Sequence, residues 1–95
     1  MNEQRTLLLR QALRKYGETI QLIMVVEEIA ELTKEITKYF RGKDNRENII
    51  EEVGDVYIML EQMKIIFDIS AEELEITTNK KMKRLEDLLK AEEEE

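Results

Sequence analysis

The sequence predicts an all-α protein: four helices in an antiparallel bundle that associates with further copies of itself. Three observations carry this. The 95 residues hold no proline and only three glycines, and they are rich in the good helix formers Glu, Lys, Leu and Ile. Apolar residues recur with a 3.6-residue period over long stretches. The connections between those stretches are short, which favours antiparallel neighbours. A chain of this length buries only about 60–65% of its unfolded surface. One domain is therefore expected over residues 1–95, stabilised by oligomerisation.

The first helix is expected over residues 2–16, with Leu8, Ala12 and Leu13 inward and Gly17 as its stop. The second spans about 18–41, with Leu22, Val25, Ile29, Leu32, Ile36 and Phe40 as its apolar stripe, and Gly42 ends it. Asp44-Asn45-Arg46-Glu47 reads as a capping box opening the third helix. That helix runs to about residue 67, with Ile49, Val53, Val56, Leu60, Met63 and Phe67 inward. Ser70-Ala71-Glu72-Glu73 reads as a second capping box. The last helix follows to about residue 90, with Leu74, Met82, Leu85 and Leu89 inward. The acidic residues 91–95 are expected to be frayed and solvated. Ile23, Val26 and Ala30 widen the stripe of the second helix to one side, and Ile50 and Tyr57 do the same on the third. Such wide stripes mark a partner surface, so at least a homodimer is expected.

Composition removes several function classes. Without cysteine there are no disulfides or thiolate metal sites. Without histidine there are no His-containing triads, zinc sites or Glu-x-x-His di-iron centres. The net charge of −7 disfavours a nucleic-acid partner. No apolar run approaches a membrane span and no signal-peptide pattern opens the chain, so a soluble cytoplasmic protein with no membrane partner is expected.

Two acidic motifs are the most informative residues. They are Glu27-Glu28-Ile29-Ala30-Glu31 and Glu52-Val53-Gly54-Asp55. Glu28/Glu31 and Glu52/Asp55 are each spaced i,i+3, so each pair projects from one helix face about a turn apart. On antiparallel helices the four carboxylates converge. Four converging anions call for a cation, and an all-oxygen set suits a hard divalent ion such as Mg²⁺, with Mn²⁺ as a substitute. On a helical wheel Glu27, Lys34 and Lys38 lie opposite the apolar stripe of the second helix, while Glu28, Glu31 and Glu35 lie on its flank. Glu52 falls inside the third stripe, between Val56, Met59 and Met63, and Asp55 at its margin. A carboxylate turned into an apolar seam is costly unless it is paired, neutralised or metal-bound. A buried cation is the alternative to a metal, and Lys81, on the apolar side of the last helix, is the candidate.

The pattern Glu-Glu-x-x-Glu, twenty residues, then Glu-x-x-Asp, over residues 27–55, resembles the MazG-like family of all-α nucleoside triphosphate pyrophosphohydrolases. Asn79-Lys80-Lys81-Met82-Lys83-Arg84 is similar to that family's Asn-x-Lys-Phe-x-x-Arg segment, with Met82 for the aromatic residue and Arg84 one place early. The resemblance implies hydrolysis to a nucleoside monophosphate and pyrophosphate by water attack at the α-phosphorus. It implies Glu28, Glu31, Glu52 and Asp55 as metal ligands. Glu31 is the first choice for the group that takes the water's proton, with Glu27 and Glu35 as further catalytic candidates. Asn79, Lys81 and Arg84 are the candidates for substrate contact, and relatives assemble as homodimers or homotetramers around a shared bundle. Two departures matter. Met24, Val25 and Val26 stand where many members carry a Lys, and no Trp is present to stack on a base, leaving Tyr16 or Tyr39 for that place. Two other readings stay open: a non-enzymatic helical interaction module with an acidic flank, and a phosphoribosyl-ATP pyrophosphatase of the same superfamily.

Overall fold

Four helices make up the chain in the computed structural model, which describes residues 1–94; among these there is no strand. They are α1 (Glu3–Tyr16), α2 (Glu18–Phe40), α3 (Arg46–Ile66) and α4 (Ala71–Glu93). Their ends lie within a few residues of the expected positions. Residues 91–93 continue α4, and Glu95 lies outside the described residues.

The helix ends follow local chemistry. Asn2 caps α1, its Oδ1 accepting from Arg5 N at 2.9 Å. Gly17 ends α1 and begins α2 at once, with φ 89°. Gly42 turns the chain after α2 with φ 93°. The Ser70 capping box forms as expected: Glu73 N donates to Ser70 Oγ at 3.0 Å, and Ser70 N donates to Glu73 Oε2 at 2.9 Å. The box expected at residues 44–47 does not form. Asn45 occupies the N-cap of α3 but makes no capping bond. Its side chain turns back to α2 instead.

α2 and α3 form an antiparallel hairpin. Gln21 meets Gln62 at its open end, and Glu35 meets Asn45 beside the turn. α1 lies against both helices, while α4 packs on none of the other three. Within one chain the expected four-helix bundle is therefore not closed. At the connection to α4, Asp68 takes a left-handed backbone conformation (φ 52°), and the Ser70 box starts the new helix straight away. The radius of gyration is 17.0 Å. A compact chain of this length has about 12 Å.

The seam between α2 and α3 also differs from expectation. The buried positions of α2 are Gln21, Val25 and Glu35, and those of α3 are Met59 and Gln62. Ile29, Ile36, Phe40, Val53, Leu60 and Phe67, expected to face inward, are exposed. At 100° per residue, the true seam is rotated by roughly 70–100° from the apolar stripe on each helix. The hairpin thus closes on a mixed seam of amides, carboxylates and two apolar residues. Val25 of the expected stripe is buried in the seam, and Leu22, Leu32, Ile49, Val56 and Met63 are half-buried at its side; the rest of each stripe faces away from the hairpin partner.

Candidate metal centre

The rotation of the seam sets the place of the acidic residues. Glu28 lies one heptad after Gln21 on α2, and Asp55 one heptad before Gln62 on α3. Seven residues are almost two helical turns, so each acid shares a face with its glutamine. Glu28, Glu52 and Asp55 consequently converge, each offering a carboxylate oxygen within 4.8 Å of the other two. Glu28 and Glu52 are half-buried and Asp55 is exposed, so the cluster sits in the seam with one side open.

The electrostatics are those of crowded anions. Burial raises the Glu28 carboxyl above its ordinary value; the charge of Asp55, a hydrogen bond with Asp55, and the charges of Glu52 and Glu31 add to this. Burial likewise raises Glu52, followed by the charges of Asp55, Glu31, Glu35 and Glu51. Glu52 Oε2 is buried without a hydrogen-bond partner. None of these acids joins an ion pair among the described residues. The alternative of a cationic partner is not realised within the chain. Lys81 stands on the unpacked α4. Three carboxylate donors within 4.8 Å of one another, with one side open, make a ligand set that a hard divalent cation accepts, with room left for water.

The other site candidates are placed as follows. Glu31 is exposed and outside the convergent trio, though its charge bears on both Glu28 and Glu52. Glu27 is exposed on the solvent side of α2. Glu35 is buried and committed to structure. Asn45 Nδ2 donates to Glu35 Oε2 at 2.7 Å and to the Glu35 carbonyl at 2.8 Å, and Lys38 Nζ bonds Oε1 at 3.2 Å. The bond from Asn45 outweighs burial and, with Lys38, lowers the Glu35 carboxyl below its ordinary value. Asn79, Lys81 and Arg84 are exposed on α4 and do not meet the cluster within this chain. Tyr16 and Tyr39 are exposed, Tyr16 beneath the Lys15 ammonium and Tyr39 against Phe40.

Three residues of consequence escaped the sequence reading. Asn45 stands inside the expected 44–47 capping box with no role of its own, and Gln21 and Gln62 carry none either. Gln62 Nε2 donates to Gln21 Oε1 at 2.8 Å and to the Leu9 carbonyl at 2.9 Å, joining three helices. The available signal was spacing: Gln21, Glu28 and Glu35 fall every seven residues on α2, as do Asp55 and Gln62 on α3.

No family model, curated protein or solved structure matches the chain. No helix among the described residues is long and apolar enough to cross a membrane. The functional reading therefore stands on the residues and their geometry.

Proposed function

We propose that the chain is a Mg²⁺-dependent nucleoside triphosphate pyrophosphohydrolase of the MazG-like type, releasing a monophosphate and pyrophosphate. The observation that carries this is the convergence of Glu28, Glu52 and Asp55, in which Glu52 also has a buried carboxylate oxygen without a hydrogen-bond partner. Glu28, Glu52 and Asp55 would hold the ion, with Glu31 joining from the exposed side. When bound, the ion neutralises phosphate charge and polarises water. Glu31, exposed and close enough for its charge to bear on Glu28 and Glu52, would accept a proton from water. Lys81 and Arg84 supply positive charge for phosphate, and Asn79 an amide for the sugar.

These α4 residues reach a cluster only if α4 packs on another chain. The exposed apolar residues of α2, α3 and α4 support such a partner, a second copy that closes the bundle. The second reading is a helical interaction module whose acidic flank, Glu28, Glu52 and Asp55 with Glu31 beside them, docks a basic partner. The test is product analysis: a triphosphate panel with Mg²⁺ in ¹⁸O-water. Labelled monophosphate with unlabelled pyrophosphate is expected. Orthophosphate as sole product defeats the mechanism, and no turnover across the panel favours the interaction module.

A further inference from the structure

We propose that the buried amide pair Gln21–Gln62 is the register pin of the α2–α3 hairpin, a positioning device that holds Glu28 opposite Glu52 and Asp55; its consequence for metal rests on reading that cluster as a metal centre. Both glutamines are essentially inaccessible, Gln21 being 2% and Gln62 0% exposed. The seam between them and the acids is thin: Val25 and Met59 are the only buried apolar side chains among the described residues. Apolar contact of that kind is tolerant of sliding. With Met59 and Ile66 standing one turn to either side of Gln62, a slipped hairpin would still pack. Mutual repulsion among Glu28, Glu52 and Asp55 even favours slipping.

The amides oppose it. A one-turn slip sets Gln21 against Met59 or Ile66 and leaves two buried amides unpaired. It also breaks the bond from Gln62 to the Leu9 carbonyl, which ties α1 to the same register. The pair is not an optimum for stability, because Gln62 Oε1 is buried with no partner. Specificity of alignment is what it contributes. Because Gln21 and Gln62 lie seven residues from Glu28 and Asp55 respectively, the alignment that satisfies the amides is the one that assembles the acids.

The experiment uses the full chain, which has no cysteine of its own. Spin labels on Thr19→Cys and Asn48→Cys, both exposed, report the α2–α3 register by pulsed electron resonance, with labelled chains diluted into unlabelled ones. Mn²⁺ affinity is measured in parallel. The Gln21→Leu/Gln62→Leu chain should remain helical, show a broadened distance distribution or a second component displaced by about one turn (~5 Å), and bind Mn²⁺ roughly tenfold or more weakly. The Gln62→Met chain, which keeps length but loses both donated bonds, should move the same way, and it decides the matter should the double variant not fold. Gln11→Leu, on the exposed side of α1, should match the parent. A parental distance distribution in the glutamine variants overturns the pin. An altered distribution with parental Mn²⁺ affinity overturns its positioning role. A parent that binds no Mn²⁺ defeats the metal reading alone, and the distances still decide the register.

Discussion

Asn45 holds Glu35 twice: its Nδ2 donates to the carboxylate at 2.7 Å and to the backbone carbonyl of the same residue at 2.8 Å. This clamp closes the hairpin one heptad beyond Glu28 and keeps Glu35 out of the acidic cluster. Asn45→Ala should lower the melting temperature of the apo protein on the order of 5 °C, since a buried carboxylate loses its nearest donor. Asn45→Asp should be worse near neutrality, because it sets one carboxylate against another. If Asn45→Ala melts with the parent, the clamp is not what orders the turn.

Glu52→Gln tests the cluster from the opposite direction. The substitution removes one of three crowded charges while nearly preserving shape. The apo variant should melt at or above the parent, and the rise in melting temperature on adding Mg²⁺ should disappear together with turnover. Glu51→Gln, exposed on the same helix, should keep the Mg²⁺ response. An apo Glu52→Gln chain that melts well below the parent would make Glu52 a structural residue.

The pH dependence follows from the directions of the shifts. Glu28 and Glu52 are raised in the folded state, so their favourable contribution is complete below the ordinary value of 4.5 and is lost as pH rises through their folded values. Glu35 is lowered, so its contribution is present above 4.5 and is lost as pH falls through its folded value. Melting of the parent against Glu52→Gln should therefore coincide in acid and diverge above about pH 4.5, with the variant the more stable. For Glu35→Gln the difference has the opposite sign above pH 4.5 and vanishes in acid. Mg²⁺ should bind more weakly as pH falls, because protons compete for the ligands. A pH-independent difference for Glu52→Gln would refute the crowding of its carboxylate.

Helix positions were legible because they are set locally. Gly17, Gly42 and the Ser70 box punctuate the chain by φ and by short-range hydrogen bonds, and these need no tertiary context. The spacing and one antiparallel turn predict four converging carboxylates; Glu28, Glu52 and Asp55 do converge, while Glu31, one turn on from Glu28, stays outside. The seam was not legible. A helical wheel ranks faces by apolarity, and the face of α2 that meets α3 carries Gln21, Glu28 and Glu35, so it looks solvated. The role of Asn45 was hidden for a related reason: its amide donates to a residue ten positions back, and no local pattern announces that partner. The left-handed turn at Asp68, just before α4, fell at a position where the sequence offers no glycine to announce it.

The exposed stripes predict association. Phe40 is 79% exposed and Val26 68%, and Leu85 and Leu89 of α4 are about half exposed. Sedimentation at micromolar concentration should give at least twice the chain mass of 11.3 kDa. Ile36→Lys and Leu85→Glu should each shift it toward monomer, because a charge placed at the centre of an apolar interface is left unpaired. A parent that sediments as a folded, active monomer would require every site residue to come from one chain.

Mixing inactive chains distinguishes a shared site from a private one. Suppose Lys81 of one chain serves the acidic cluster of its partner. A dimer of one Glu52→Gln chain and one Lys81→Ala chain then has one site with both defects and one with neither. Equal mixing, after dissociation and reassembly, gives mixed dimers in half the population, each with one live site, so roughly a quarter of parental activity should return. A site built within a single chain behaves otherwise, since every site carries one defect and no activity returns. Unpacked α4 makes the first outcome the expected one, because Lys81 and Arg84 do not approach Glu28, Glu52 or Asp55 of their own chain. Each variant alone must first be shown to be inactive and oligomeric, so that recovery reports shared sites and not residual turnover.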